Sequence, residues 1–148
     1  MRTFLLMLAL LAGSTVGDPR ELPQEKTHAL WSAACEVPRY SCEDLEPPEV
    51  VFKKIEAPYV WGYYIPGSRA VVMNDRFVSE LPQGVFFEGV VVHEMLHYLA
   101  FWSADFEIIL DKCRDEGQAW LAYNVYVTSQ DREDLINWYW QEAYEGCR

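Results

Sequence analysis

His93, Glu94 and His97 stand together in Val92-His93-Glu94-Met95-Leu96-His97-Tyr98. On an α-helix, residues four positions apart lie one turn apart on the same face. Two imidazoles so placed can each direct a nitrogen at a single point, and zinc accepts such nitrogens at about 2.0–2.1 Å. Glu94 falls about 100° round the helix from His93. That holds its carboxylate beside the metal rather than on it, where it can take a proton from a water. Burying two histidines and a glutamate in an otherwise apolar segment is costly unless partners or a metal receive them. The chain's third histidine, His28, is distant in sequence.

A catalytic zinc usually has three protein ligands and an open position. The leading candidate for the third ligand is Glu116, in Asp115-Glu116-Gly117-Gln118-Ala119-Trp120. It follows His97 by 19 residues, room for a turn and a returning helix. Asp115, Asp105 and His28 are the other candidates, and Glu116 is also simply a favourable acid for a helix's first turn. One zinc ion per chain is the expected cofactor.

The elements that must position these groups can be read from the pattern around them. Val85 to Trp102 is an almost continuously apolar stretch of helical length, the mark of a buried central helix. Lys112 to about Thr128 reads as a second helix and Asp131 to about Tyr144 as a third, with Asp131 as its N-cap and Gly146 as a stop. Together these last two form a helical hairpin turning near Gln130. Ahead of the central helix, Glu49 to Ile55 and Tyr59 to Ile65 read as strands. Pro66-Gly67 suits the centre of a type II turn, and Arg69 to Met73 is the return strand of a hairpin. Pro23 to about Ala34 forms a helix with Leu30, Trp31 and Ala34 on one side. The fold class is α+β: a short antiparallel sheet or hairpin packed on the central helix, followed by the helical hairpin.

The four cysteines, Cys35, Cys42, Cys113 and Cys147, include no C-x-x-C pair, which favours disulfides over a thiolate metal site. Cys113 and Cys147 each lie 17 positions from Gln130. Equal distances from the turn put them at the same end of the hairpin, within disulfide reach, and Cys35 pairs with Cys42 by elimination. Disulfides suit an oxidising compartment. The N-terminus agrees: Arg2 precedes the apolar run Phe4 to Ala12, and Thr15-Val16-Gly17 is a small-x-small site. Residues 1–17 are expected to be a signal peptide and 18–148 a single exported domain, periplasmic or secreted.

Composition bounds the remainder. Of 148 residues, 51% are hydrophobic and 24% charged, enough for a core and against disorder. Twelve Lys+Arg face 23 Asp+Glu, so nucleic acid and anionic membrane surfaces are poor partners. The expected form is a monomer free of the membrane once the signal segment is removed.

With these motifs in view, the chain resembles the zincin metallopeptidases of the two-His-plus-Glu gluzincin type, and small bacterial ImmA/IrrE-like members in particular. The resemblance covers mainly residues 59–123. The metzincin pattern is excluded, because its Gly and His positions hold Ala100 and Ser103 here. Some gluzincins place an orienting Asp four residues after the Glu ligand, where this chain has Trp120, so that task must pass to another residue such as Asp115 or Asn124. The resemblance implies peptide-bond hydrolysis, with His93, His97 and Glu116 on the metal and Glu94 moving the proton from water to the leaving amine. It also implies an extended peptide or protein substrate along the edge strand beside the metal helix, which places Val71 and Val72 against it. Tyr123 is the first candidate for an added donor to the oxyanion, with Tyr63, Tyr64 and His28 behind it. The alternative is a non-catalytic exported module with a degenerate site.

Overall fold

A computed structural model describes residues 21–37, 39–80, 84–103 and 111–147. The expected signal segment and Asp105 lie outside the described residues. Helix α1 spans Gln24–Cys35, and strands β1, β2 and β3 span Glu49–Lys53, Gly62–Tyr64 and Ala70–Asn74. Helix α2 is the single turn Arg76–Ser79, α3 spans Val85–Ser103 and α4 spans Lys112–Ser129. A 3-10 turn at Glu133–Leu135 leads to α5, Trp138–Tyr144, and a second 3-10 turn at Glu145–Cys147. The class is α+β, as the sequence pattern indicates.

Helix α3 is the axis because it has no polar face to give to water. Twelve of its 19 residues are buried, so neighbours must cover it all round. The sheet covers one side, with Met73 and Val71 at 0% exposure. Helix α1 covers another through Leu30, Trp31 and Ala34, with Trp31 edge-on to Tyr98 at 5.7 Å between ring centres. Helix α4 runs antiparallel along a third. Glu88, near the start of α3, accepts from Tyr126 of α4 and pairs with Lys26 of α1 at 2.5 Å, so one carboxylate joins three helices. Among the described residues no helix is long and apolar enough to cross a membrane.

The sheet has the order β1-β3-β2. β2 and β3 form the expected hairpin. Gly67 takes φ 85° at the turn, and the Ser68 amide donates to the Ile65 carbonyl at 2.9 Å. β1 joins the other edge of β3 in parallel, Glu49 opposite Ala70 through Lys53 opposite Asn74. The sheet is therefore mixed, not purely antiparallel. The chain ends β1 before Ala57-Pro58, where proline has no N–H for a ladder, and crosses to the far side of β3 before turning back. This corrects the expectation for Val71 and Val72. Their strand is central, with main-chain groups committed to β1 on one side and β2 on the other, so they cannot pair with a substrate.

The C-terminal hairpin is present but broken. Asp131 adopts φ 55°, a left-handed conformation that Asp tolerates better than most residues, and so does not cap a helix. The Arg132 amide instead donates back to Val127 at 2.9 Å. Asn137 caps α5, its side chain accepting from the Trp140 amide at 3.2 Å. Asn124 of α4 clamps that region, accepting from the Asn137 amide at 2.9 Å and donating to Gln141 at 3.1 Å. The cysteines pair as their spacing indicates: Cys35 with Cys42 and Cys113 with Cys147, with Cα atoms 5.8 and 5.6 Å apart. Two disulfides suit an oxidising, extracellular-type environment.

Helices α3 and α4 approach closely at Gly89. A Cβ there would lie 2.7 and 2.8 Å from two ring carbons of Tyr123, a ring only 1% exposed. Gly89→Ala is therefore expected to destabilise the fold by about 1–3 kcal/mol through overpacking, although alanine favours a helix by about 1 kcal/mol. Urea denaturation of the two proteins measures the difference.

Candidate metal centre

The antiparallel run of α4 against α3 brings the first turn of α4 to the middle of α3. Gly89 meets Tyr123, His93 meets Trp120 and His97 meets Asp115. Glu116 then faces both histidines. Its Oε2 is 3.6 Å from His93 Nε2 and its Oε1 is 3.7 Å from His97 Nε2. The two Nε2 atoms are themselves 3.2 Å apart. Ligand atoms of His93, His97 and Glu116 all lie within 4.8 Å of one another, a group that could hold a metal ion. Its mouth is on the Glu116 side, where that side chain is 38% exposed, against 7% and 12% for the two histidines.

The protonation chemistry of this group fits a cation. His97 directs Nδ1 at Asp115 Oδ2 at 2.8 Å. A carboxylate only accepts, so the proton sits on Nδ1 and the Nε2 lone pair turns inward. His93 also directs Nε2 at this point, toward His97 and Glu116, while its Nδ1 is buried without a hydrogen-bond partner among the described residues. Two ring nitrogens and a carboxylate thus point electron density at one place, which requires a proton or a metal cation between them. Burial, with His97 beside it, holds the His93 imidazole well below its usual range, so it stays neutral and available as a ligand. Burial also opposes charge on His97, but Asp115, with Glu94 and Glu116, overrides it and pushes that group up to about 9. A cation bound here would displace that proton and satisfy the same negative surroundings.

Glu94 is 6% exposed on α3, and burial pushes its carboxyl up to about 7 against the pull of His97. It is walled by β2. A Cβ on Gly62 would sit 3.1 Å from Glu94 Cγ and 3.0 Å from Met73 Sδ. Sequence reasoning missed this contact, though glycine inside a strand signals close approach. Trp120 was also missed as a site residue: it packs its ring 4.3 Å from that of His93. Trp120 is thus used for packing, and Asp115 orients the other histidine.

The remaining candidates lie elsewhere. His28 is exposed on α1. Asn124 is occupied by the hairpin clamp. Tyr123 does not serve as an oxyanion donor: its ring is buried beneath Gly89 and its hydroxyl donates to the Leu135 carbonyl at 3.0 Å. Tyr64 likewise spends its hydroxyl on the hairpin turn, accepting from Gly67 and donating to Ser68. Comparison with family models, curated proteins and solved structures finds no match to this chain.

Removing the group that fixes a histidine ligand typically weakens metal affinity about 10–100-fold. Asp115→Asn is expected to fall in that range, and His93→Ala to lose stoichiometric binding altogether. Competition against a chromophoric chelator measures both.

Proposed function

We propose that this protein is an exported zinc-dependent metallopeptidase, a small gluzincin-like hydrolase of peptide or protein substrates. The observation that carries the reading is the convergence of His93, His97 and Glu116 with Glu94 buried beside them. A structural metal site has no need of that fourth group. The donor types support zinc: two imidazole nitrogens and a carboxylate are ligands it takes at catalytic sites, and ligand atoms of the three residues lie within 4.8 Å of one another.

When bound, zinc supplies Lewis acidity, polarising the scissile carbonyl and making a water more acidic. The chain's own residues do the rest. His93, His97 and Glu116 hold the ion, Asp115 fixes the His97 ring, and the Trp120 ring shields His93 from water. Glu94 takes the proton from the attacking water and delivers it to the departing amine. The substrate's extended backbone pairs with β2, whose ladder is filled only on the β3 side among the described residues. Gly62 on that strand brings the edge close to Glu94, and an added strand gains main-chain hydrogen bonds there. The two disulfides fit an exported protein. The acidic balance, net −11, fits a protein that works on peptides rather than on nucleic acid or anionic lipid.

Glu94→Gln tests the reading. The variant is expected to retain about one zinc per chain while peptide cleavage falls about 10²–10⁴-fold. Metal analysis and mass spectrometry of a digested peptide library measure the two quantities. A zinc-loaded wild type that cleaves nothing would leave a binding module in its place.

A further inference from the structure

A cavity of about 80 Å³ opens beside His97, lined by Tyr64, Pro66, His97, Ala100, Phe101 and Asp115. Resting on the peptidase reading, we infer that this cavity is a specificity subsite for an ammonium group on an apolar stem, the side chain of a substrate lysine.

Position is the first argument. β2 runs beside α3, with Gly62 against Glu94 and Tyr64 against Tyr98 and Phe101. Those two strand residues span about 7 Å. A substrate paired with β2 therefore passes the cavity within about two residues of the bond placed before Glu94.

Lining chemistry is the second. The Tyr64 and Phe101 rings lie 6.0 Å apart at 60°, and with Pro66 and Ala100 they form apolar walls for methylene groups. The Tyr64 hydroxyl is engaged in the turn, so the tyrosine offers ring rather than donor. Aromatic faces also attract a cation. Among the described residues Asp115 is the one acid in the lining, and no Lys or Arg lines it. One of its oxygens accepts from His97, and a carboxylate has acceptor capacity for more. A neutral apolar side chain would bury the open oxygen of Asp115 without a partner. A guanidinium binds best with both carboxylate oxygens free, and here one is already committed. A compact ammonium needs only one.

Two measurements test this on the zinc-loaded protein. In the first, N-acetyl-lysine methylamide and N-acetyl-norleucine methylamide are titrated and followed by NMR at Ala100 and Phe101. The lysine probe is expected to bind at least about tenfold more tightly and to shift those two resonances. Pro66→Lys, an exposed turn position that accepts any side chain, is expected to cancel the preference. Equal binding, shifts elsewhere, or a preference untouched by Pro66→Lys overturns the subsite. So does a free-amine glycyl-norleucine methylamide that matches the lysine probe, since the ammonium would then need no side-chain stem. In the second, peptides cut from a library by the wild type are expected to carry lysine enriched at one position within two residues of the cut. Cleavage without that enrichment removes the subsite and leaves the peptidase reading intact. A Pro66-dependent lysine preference in a protein that cuts nothing supports the lysine site and removes the peptidase reading.

Discussion

Two imidazole nitrogens 3.2 Å apart, with a carboxylate closing the third side, require a proton or a cation between them. The strength of such interactions grows as water is removed, and both histidines are largely buried. Most of the architecture serves to keep it in that condition. Helix α3 fixes the two histidines by spacing alone. Everything else brings the opposing acids to the right turn of that helix.

Helix α4 carries those acids, and its placement is determined at several points. Gly89 allows the Tyr123 ring to lie against α3, and Glu88 binds Tyr126 near the other end. Cys113 ties the first turn of α4 to the C-terminal segment three residues before Glu116. The Asn124 clamp holds α5 against α4 from the middle. A helix start is normally its least secure part. Here it bears Glu116, which faces both histidines, and Asp115, which accepts from His97, and it is covalently tethered.

What could be read from the chain follows from the range of each signal. The spacing of His93 and His97 is local and helical, so their juxtaposition was readable directly. The cysteine pairing depended on a turn near Gln130, and Glu116's approach on a helix returning within 19 residues of His97, and both appear. Strand order is different. Ala70 to Asn74 is a nearly unbroken apolar run, a pattern that fits an inner strand as well as a buried edge, and only the parallel docking of β1 decides it. The uses of Tyr123 and Gly62 depend on what stands opposite them, which no local pattern records. The break before α5 was visible in part. Asn137 precedes Trp138-Tyr139-Trp140 as a cap should, but Asp131 offered the same chemistry earlier and took a left-handed turn instead.

The indole of Trp120 lies 4.3 Å from the His93 ring and stacks at 3° on Trp140, which stacks in turn on Tyr144. An ion arriving at His93 would bring two positive charges to the end of this column, where little solvent intervenes to screen their field. Excited indoles respond to nearby charge and to their stacked neighbours. An ion loaded at the centre would therefore be read in the ultraviolet emission of this column, with no label attached.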